Sequence, residues 1–278
     1  MAQRKEKAYI GKYEKDYQKN GKNSIMDRRK SIGKKLSFAA AEAYKLLRTN
    51  LIFSMADEDK CKVLGVTSAL RGEGKSTTAI NLAYTMAETG KKTLLIEADM
   101  RIPVMSDVLR MDVAPGLSHV LAGLNTLKDA VQQSRLLSSL YIIPAGEIPP
   151  NPSELLSSKR MEQVVQTLSE SFDYIIIDLP PINAVSDGLT VSKLLTGMVM
   201  VVRQNYCDQH SLAEAMRQME FLRVKVLGFV FNDAEAPTKR YKKYGGNYKY
   251  GKGYRYGYGY RKEPTGKREA EEESAATS

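Results

Sequence analysis

The chain has 278 residues, 42% of them hydrophobic, enough to bury one large core or two small ones. Its two cysteines, Cys61 and Cys207, form no CxxC pair, which argues against a disulfide framework and a cysteine-only metal site. The net charge of +10 is unevenly spread: residues 1–35 carry a net +8 and residues 239–278 a net +6, so residues 36–238 form a mildly acidic body (net −4) between two basic ends.

The arm over 1–35 is highly charged and lacks apolar periodicity, so the expectation is a disordered or loosely attached segment. No apolar run approaches the roughly eighteen residues of a membrane span. The N-terminus has no apolar segment of the kind a secretory signal needs, so the expected compartment is the cytosol. Residues 37–55 (SFAAAEAYKLLRTNLIFSM) predict an amphipathic helix. Tyr44, Leu47, Leu51 and Met55 share one side of it, and Glu42, Lys45 and Arg48 fall at three-residue spacing on another.

Short apolar runs then alternate with longer helical stretches. Strands are expected at 62–67, 93–97, 140–144, 174–178, 198–202 and 226–231, and helices at 76–88, 152–169, 187–195 and 210–222. Several of these strands are apolar on both faces, as buried parallel strands are. The pattern predicts one domain over 36–238 with an α/β fold, a doubly wound and mainly parallel sheet.

The first strand runs into ALRGEGKS at 69–76, a phosphate-binding loop in which Ala69 stands where the usual pattern has glycine. In such a loop Arg71, Gly72, Glu73 and Gly74 bring backbone N–H groups onto phosphate oxygens. Lys75 would reach the β- and γ-phosphates, Ser76 would hold Mg²⁺, and Thr77 would extend the helix N-terminus that favours the anion. The second strand ends in IEADMRIP, bearing Glu97 and Asp99, and a later one in YIIIDLPP, bearing Asp178. An apolar strand closing on an acid places a carboxylate near Mg²⁺, and all three acids belong on the carboxyl edge of the sheet, where open α/β folds bind ligands. ATP and Mg²⁺ are the implied cofactors.

Residues 241–260 read YKKYGGNYKYGKGYRYGYGY. Tyr241, Tyr244, Tyr248, Tyr250, Tyr254, Tyr256, Tyr258 and Tyr260 are half of all the tyrosines in the chain, and no aliphatic residue accompanies them. A segment of this composition cannot bury a core, so 239–278 is expected to be a disordered tail.

The pieces EAYKLLRTNL (42–51), RGEGKST (71–77), IEADMRIP (96–103), PPNPSELL (149–156), IIIDLPP (175–181) and the tyrosine cluster, in this order, resemble the bacterial tyrosine kinases of capsule and exopolysaccharide biosynthesis. Those kinases are relatives of the deviant-Walker P-loop ATPases that position septa and segregate chromosomes. The likeness is to the Firmicutes-like split form, which lacks its own membrane span.

The resemblance implies autophosphorylation of the tail in trans and regulation of polysaccharide synthesis and export. It makes Lys75, Glu97, Asp99 and Asp178 the catalytic set, with Ser76, Asp99 and Asp178 toward the metal and Asn232 toward the adenine. Glu97 stands where the family usually has Asp, as the acid that accepts the tyrosine proton, and Asp99 is the alternative for that task. Glu42, Lys45 and Arg48 match a ring-forming helix, with Lys45 in place of the family's Arg. The implied partners are a transmembrane activator of the polysaccharide co-polymerase type, further copies in a ring, and a phosphotyrosine phosphatase. The implied location is the cytoplasm, at the inner face of the plasma membrane.

A septum-positioning type of ATPase that hydrolyses ATP with water is the alternative. Leu70 stands where many of that class carry a lysine, which argues against it, as does the tyrosine tail. A nucleic-acid-binding tail would leave the loop and its acids without a role, so no nucleic acid is expected.

Overall fold

A computed structural model of the chain describes residues 26, 28–55 and 61–234. The chain divides into a unit of Met1–Glu235 and one of Ala236–Ser278. The second unit, with all eight tail tyrosines, lies outside the described residues, as do residues 1–25.

Helix α1 (Phe38–Ser54) begins where the Ser37 side chain accepts the Ala40 N–H, satisfying an amide that has no partner within the helix. It buries Leu51 and, just past its end, Met55. Then come β1 (Lys62–Ser68), α2 (Lys75–Ala87) and β2 (Thr93–Glu97). Three short helices follow: α3 (Met105–Leu109), α4 (Leu117–Ala122) and α5 (Leu127–Ala130). After them lie the two-residue β3 (Gln132–Gln133), β4 (Leu140–Ile143), α6 (Pro152–Leu156), α7 (Lys159–Ser169) and β5 (Tyr174–Asp178). The described chain closes with α8 (Asp187–Thr190), β6 (Gly197–Arg203), α9 (Gln209–Phe221) and β7 (Val226–Asn232).

The seven strands form one sheet in the order β3-β4-β2-β5-β1-β6-β7, parallel except for β3 against β4. Side-chain alternation along each strand divides the core in two. Leu94, Ile96, Ile175, Ile177, Met198 and Met200 face α4, α7 and α9. Leu64, Val66, Leu95, Ile176, Val199 and Val201 face α1, α2 and α3. The parallel strands are therefore apolar on both faces, as the alternating strand–helix pattern predicts.

Three expectations are revised. The stretch expected as one helix over 152–169 is two, because Ser158 caps the second helix by accepting the Met161 N–H. The helix expected over 187–195 ends at Thr190 and gives way to a 3₁₀ turn, Ser192–Leu194. The last part of the basic arm is also not loose. Ile32 is buried, the Gly33 N–H donates to Asn81 Oδ1 (3.0 Å), and Asn81 Nδ2 donates to the Ser31 carbonyl (2.9 Å). Arg29 Nε donates to the Asp107 carbonyl at 3.2 Å. Residues 28–35 are thereby fastened across α2 to the end of α3.

Candidate active site

β1 leads into the phosphate loop, and α2 starts directly behind it at Lys75. Gly72 and Gly74 have φ of +86° and +93°, a region that strains any residue with a Cβ. At Gly74 a Cβ would also lie 2.2 Å from Asn232 Nδ2. Glu73 points inward. Its fully buried carboxylate accepts the Leu70 N–H at 2.6 Å and the Arg203 N–H at 3.3 Å, pinning the loop to β6. Ala69 is completely buried, so the methyl that replaces the usual glycine hydrogen has a packed place. Thr77 lies half-buried in the first turn of α2, and Arg71 half-buried at the rim of the loop.

β1, β5 and β2 lie side by side, which sets Asp178 in register with Val66 on one flank and Glu97 on the other. Lys75 Nζ lies 2.7 Å from Asp99 Oδ2, 3.5 Å from Asp178 Oδ1 and 3.3 Å from Ser76 Oγ. Burial alone would lower the Lys75 pKa, but the Asp178 and Asp99 carboxylates outweigh it and hold the ammonium above its usual range. Asp178 is wholly buried, and neither of its oxygens makes a hydrogen bond among the described residues. Burial raises its pKa, against the opposing pull of Lys75.

Glu97 is placed differently from the other two acids. Its Oε1 accepts the Val104 and Met105 N–H groups at 2.5 and 2.8 Å, and its Oε2 accepts the Ala145 N–H at 3.2 Å. It thus ties the end of β2 to the start of α3 and to the segment after β4. Burial pushes its carboxyl up to about 7, against the lowering effect of those N–H groups. Asp99 retains a little solvent exposure where Glu97 has none, and its Oδ1 accepts the Ile102 N–H at 3.2 Å.

Sequence reasoning passed over one cluster. Arg101 holds the buried Asp187 through Nε at 2.7 Å and Nη2 at 3.2 Å, and Nη2 also donates to Ser153 Oγ at 3.1 Å. The Ser153 hydroxyl donates to Asp187 in turn. IEADMRIP, PPNPSELL and the segment after β5 therefore meet at one ion pair. Arg101 and Ser153 lie within two of the motifs, but Asp187 lies in none of them, so the motifs alone did not mark the cluster.

The donor set suits a nucleotide-borne Mg²⁺. Ser76 Oγ and the carboxylates of Asp178 and Asp99 are hard oxygen donors, and among the described residues the oxygens of Asp178 make no hydrogen bond. No group of three or more His, Cys, Asp or Glu side chains placed to hold a metal ion occurs among the described residues. The rest of the coordination shell would have to come from phosphate and water, as is usual for Mg²⁺.

Asn232, expected at the adenine, donates Nδ2 to the Glu73 carbonyl at 2.8 Å and so touches the loop itself. Of the expected oligomerisation residues, Glu42 and Lys45 pair with each other at 2.8 Å on the exposed face of α1. Arg48 turns inward and donates to the Thr85 carbonyl at 2.7 Å, near the end of α2. Phe38, Leu46 and Phe53 are also exposed along α1.

The family model AAA_31, described as an AAA domain, matches residues 61–223. Tyrosine-protein kinase YwqD of Bacillus subtilis is 37% identical over 205 residues, covering 74% of this chain and 85% of that protein. The solved kinase domain of the Escherichia coli tyrosine kinase ETK superposes with a TM-score of 0.70 at 30% identity, covering 80% of this chain and 84% of the other. At the level of fold alone, the septum site-determining protein MinD of Pyrococcus horikoshii, complexed with Mg-ADP, superposes with a TM-score of 0.53 at 23% identity, covering 62% and 70%. With its phosphate loop, its acidic strand ends and relatives matched over most of their length, the chain belongs to the bacterial tyrosine kinases of the capsule-biosynthesis type, on the P-loop frame of the deviant-Walker group.

Proposed function

We propose that this kinase transfers the γ-phosphoryl group of Mg-ATP to the tyrosines at 241–260 of a neighbouring copy, and so regulates capsular or exopolysaccharide synthesis and export. The observation that supports this most is Lys75, buried at the end of the phosphate loop and held between Asp99 and Asp178. On arrival of ATP, Lys75 exchanges these carboxylates for the β- and γ-phosphates. Ser76 and Asp178 are then free to hold the metal, which when bound neutralises charge on the phosphates. The carboxylate of Asp99, released from Lys75, orients the attacking tyrosine hydroxyl and accepts its proton. Glu97, whose oxygens are engaged with three backbone N–H groups, keeps the loop bearing Asp99 in shape.

Transfer between copies fits a tail that follows the last strand and a helix α1 that leaves Phe38, Leu46 and Phe53 uncovered. A ring formed through α1 would raise the local concentration of acceptor tyrosines. Residues 239–262 carry nine basic residues and no acid, so the unmodified tail is drawn toward an acid-lined site. Each phosphate adds about −1.5 to −2 charge, so phosphorylation of all eight tyrosines reverses the sign of the tail and loosens the assembly. No helix among the described residues is long and apolar enough to cross a membrane. Recruitment to the inner face of the membrane is assigned to a transmembrane activator of the polysaccharide co-polymerase type, and removal of the phosphates to a phosphotyrosine phosphatase.

The test is incubation of the full chain with Mg-ATP, with and without an activator tail peptide, followed by mapping of phosphotyrosine by mass spectrometry. Phosphate on the 241–260 cluster is expected, and its loss in Lys75→Met. Steady release of inorganic phosphate with no phosphotyrosine would instead assign the chain to the water-using positioning ATPases.

A further inference from the structure

Three consecutive carbonyls of the phosphate loop are held from outside by side chains that come from far along the chain. Tyr206, in the turn after β6, donates its hydroxyl to the Arg71 carbonyl at 2.8 Å. Arg203, the last residue of β6, reaches the Gly72 carbonyl with Nη1 at 3.4 Å, while Nε and Nη2 hold Asp233 Oδ2 at 3.1 and 2.8 Å. Asn232, the last residue of β7, donates to the Glu73 carbonyl at 2.8 Å.

A peptide group is planar and trans, so its carbonyl and the N–H of the next residue point in opposite directions. Holding the carbonyls of Arg71, Gly72 and Glu73 outward therefore aims the N–H groups of Gly72, Glu73 and Gly74 the other way, into the phosphate cradle. Without such restraint, two glycines in a short loop leave those peptide planes free to rotate. Binding would then have to order them, at a cost in affinity.

The holding residues are themselves braced. The Arg203 guanidinium lies 5.4 Å from the centre of the Tyr206 ring and is fixed by Asp233. A Cβ at Gly72 would come 3.0 Å from the Tyr206 hydroxyl oxygen. Glycine at that position therefore serves the close approach of Tyr206 as well as the backbone angle.

We propose that Tyr206 and Asn232, with Arg203 as a longer third contact, are positioning residues that set the affinity of the loop for nucleotide phosphates. They do so by pre-aiming the amides of Gly72, Glu73 and Gly74. Tyr206 makes this contact through its hydroxyl and braces it through its ring. The inference rests on the reading that this loop binds the phosphates of ATP.

The test uses the full chain and its Tyr206→Phe variant, which keeps the ring on Arg203 and removes only the hydroxyl. Affinity is measured for Mg-ADP carrying a fluorescent ribose label, and KM and kcat for phosphotransfer from ATP. Loss of one neutral hydrogen bond predicts a dissociation constant weaker by about three- to tenfold. KM for ATP should rise in step, with kcat within about twofold, because the phosphates once bound occupy the same cradle.

In the nucleotide-free chain, amide exchange at residues 72–74 should be faster in the variant. Asn232→Ala should act in the same direction, and the two changes together should weaken binding further than either alone. A purely structural role would instead lower the melting temperature or the active fraction and leave the dissociation constant and KM unchanged. That result overturns the proposal. Failure of the unmutated chain to bind Mg-ADP would overturn the phosphate-loop reading and this inference with it.

Discussion

Replacement of Arg101 by Ala removes a bidentate guanidinium from Asp187, whose side chain is only 1% exposed. The aspartate would keep one hydroxyl donor, Ser153, in a place water barely reaches. Stranding a buried charge in this way costs about 3–5 kcal/mol. For a domain of this size, about 2–4 °C of melting temperature is lost per kcal/mol, so the single variant should melt roughly 10 °C lower. Removing both partners, in Arg101→Ala/Asp187→Ala, eliminates the stranded charge. The double variant should therefore be more stable than the sum of the two single losses implies, by at least about 2 kcal/mol of coupling. Urea unfolding of the four proteins at pH 7 measures this directly. Losses that add within about 0.5 kcal/mol would mean that the contact carries no coupling energy and that the three segments are not fastened through it.

Glu97 should make stability depend on pH. Its carboxyl has a pKa of about 7 in the folded state and 4.5 when unfolded. Its contribution is thus whole below pH 4.5 and is lost as pH rises to 7, at about 1.4 kcal/mol per pH unit and roughly 3 kcal/mol in all. Urea unfolding at pH 5 and pH 8 should show a smaller drop in Glu97→Gln than in the unmutated chain, and equal drops would refute it. Burial, followed by Glu73, pushes the Cys207 thiol up to about 12. Iodoacetamide at neutral pH should label it far more slowly in the folded chain than in urea, and fast labelling of the folded protein would contradict this. Leu46 and Phe53 are 62% and 75% exposed, so Leu46→Glu or Phe53→Ser should lower the assembly mass in light scattering while leaving the melting temperature nearly unchanged. An unchanged mass would remove α1 as the contact between copies.

The main strands and the loop were legible because each is a local pattern. An apolar run ending in an acid, or GEGKS between a strand and a helix, carries its meaning within about ten residues. The stretch from 105 to 130 was not legible, because α3, α4 and α5 have four to six residues each, too few to display a helical period. The break at Ser157–Ser158 was hidden by apolar spacing that continues across it. Ile32 was one apolar residue among charges, and its docking depends on α2 through Asn81, which lies 48 and 50 residues from the Gly33 and Ser31 it holds. Lys75, Asp99 and Asp178 could be assigned to one edge from strand polarity. Tyr206 and Arg203 stand 130 or more residues beyond the loop they hold, and no spacing rule connects them to it.

The ion pairs at Lys75 have a consequence for how the site fills. In the resting site one ammonium faces two carboxylates and counterbalances only part of their charge. On the proposed reading, free nucleotide entering alone would draw Lys75 away and bring its own negative charge toward Asp99 and Asp178, left without a cation. A divalent ion entering alone must compete with Lys75 for the same oxygens. On the proposed reading, only the two together would supply new partners for both signs, phosphate for the lysine and a cation for Asp178. By linkage, each strengthens the binding of the other by the same factor. A site of the proposed kind would respond to the nucleotide–metal complex as a single ligand and discriminate against either component by itself.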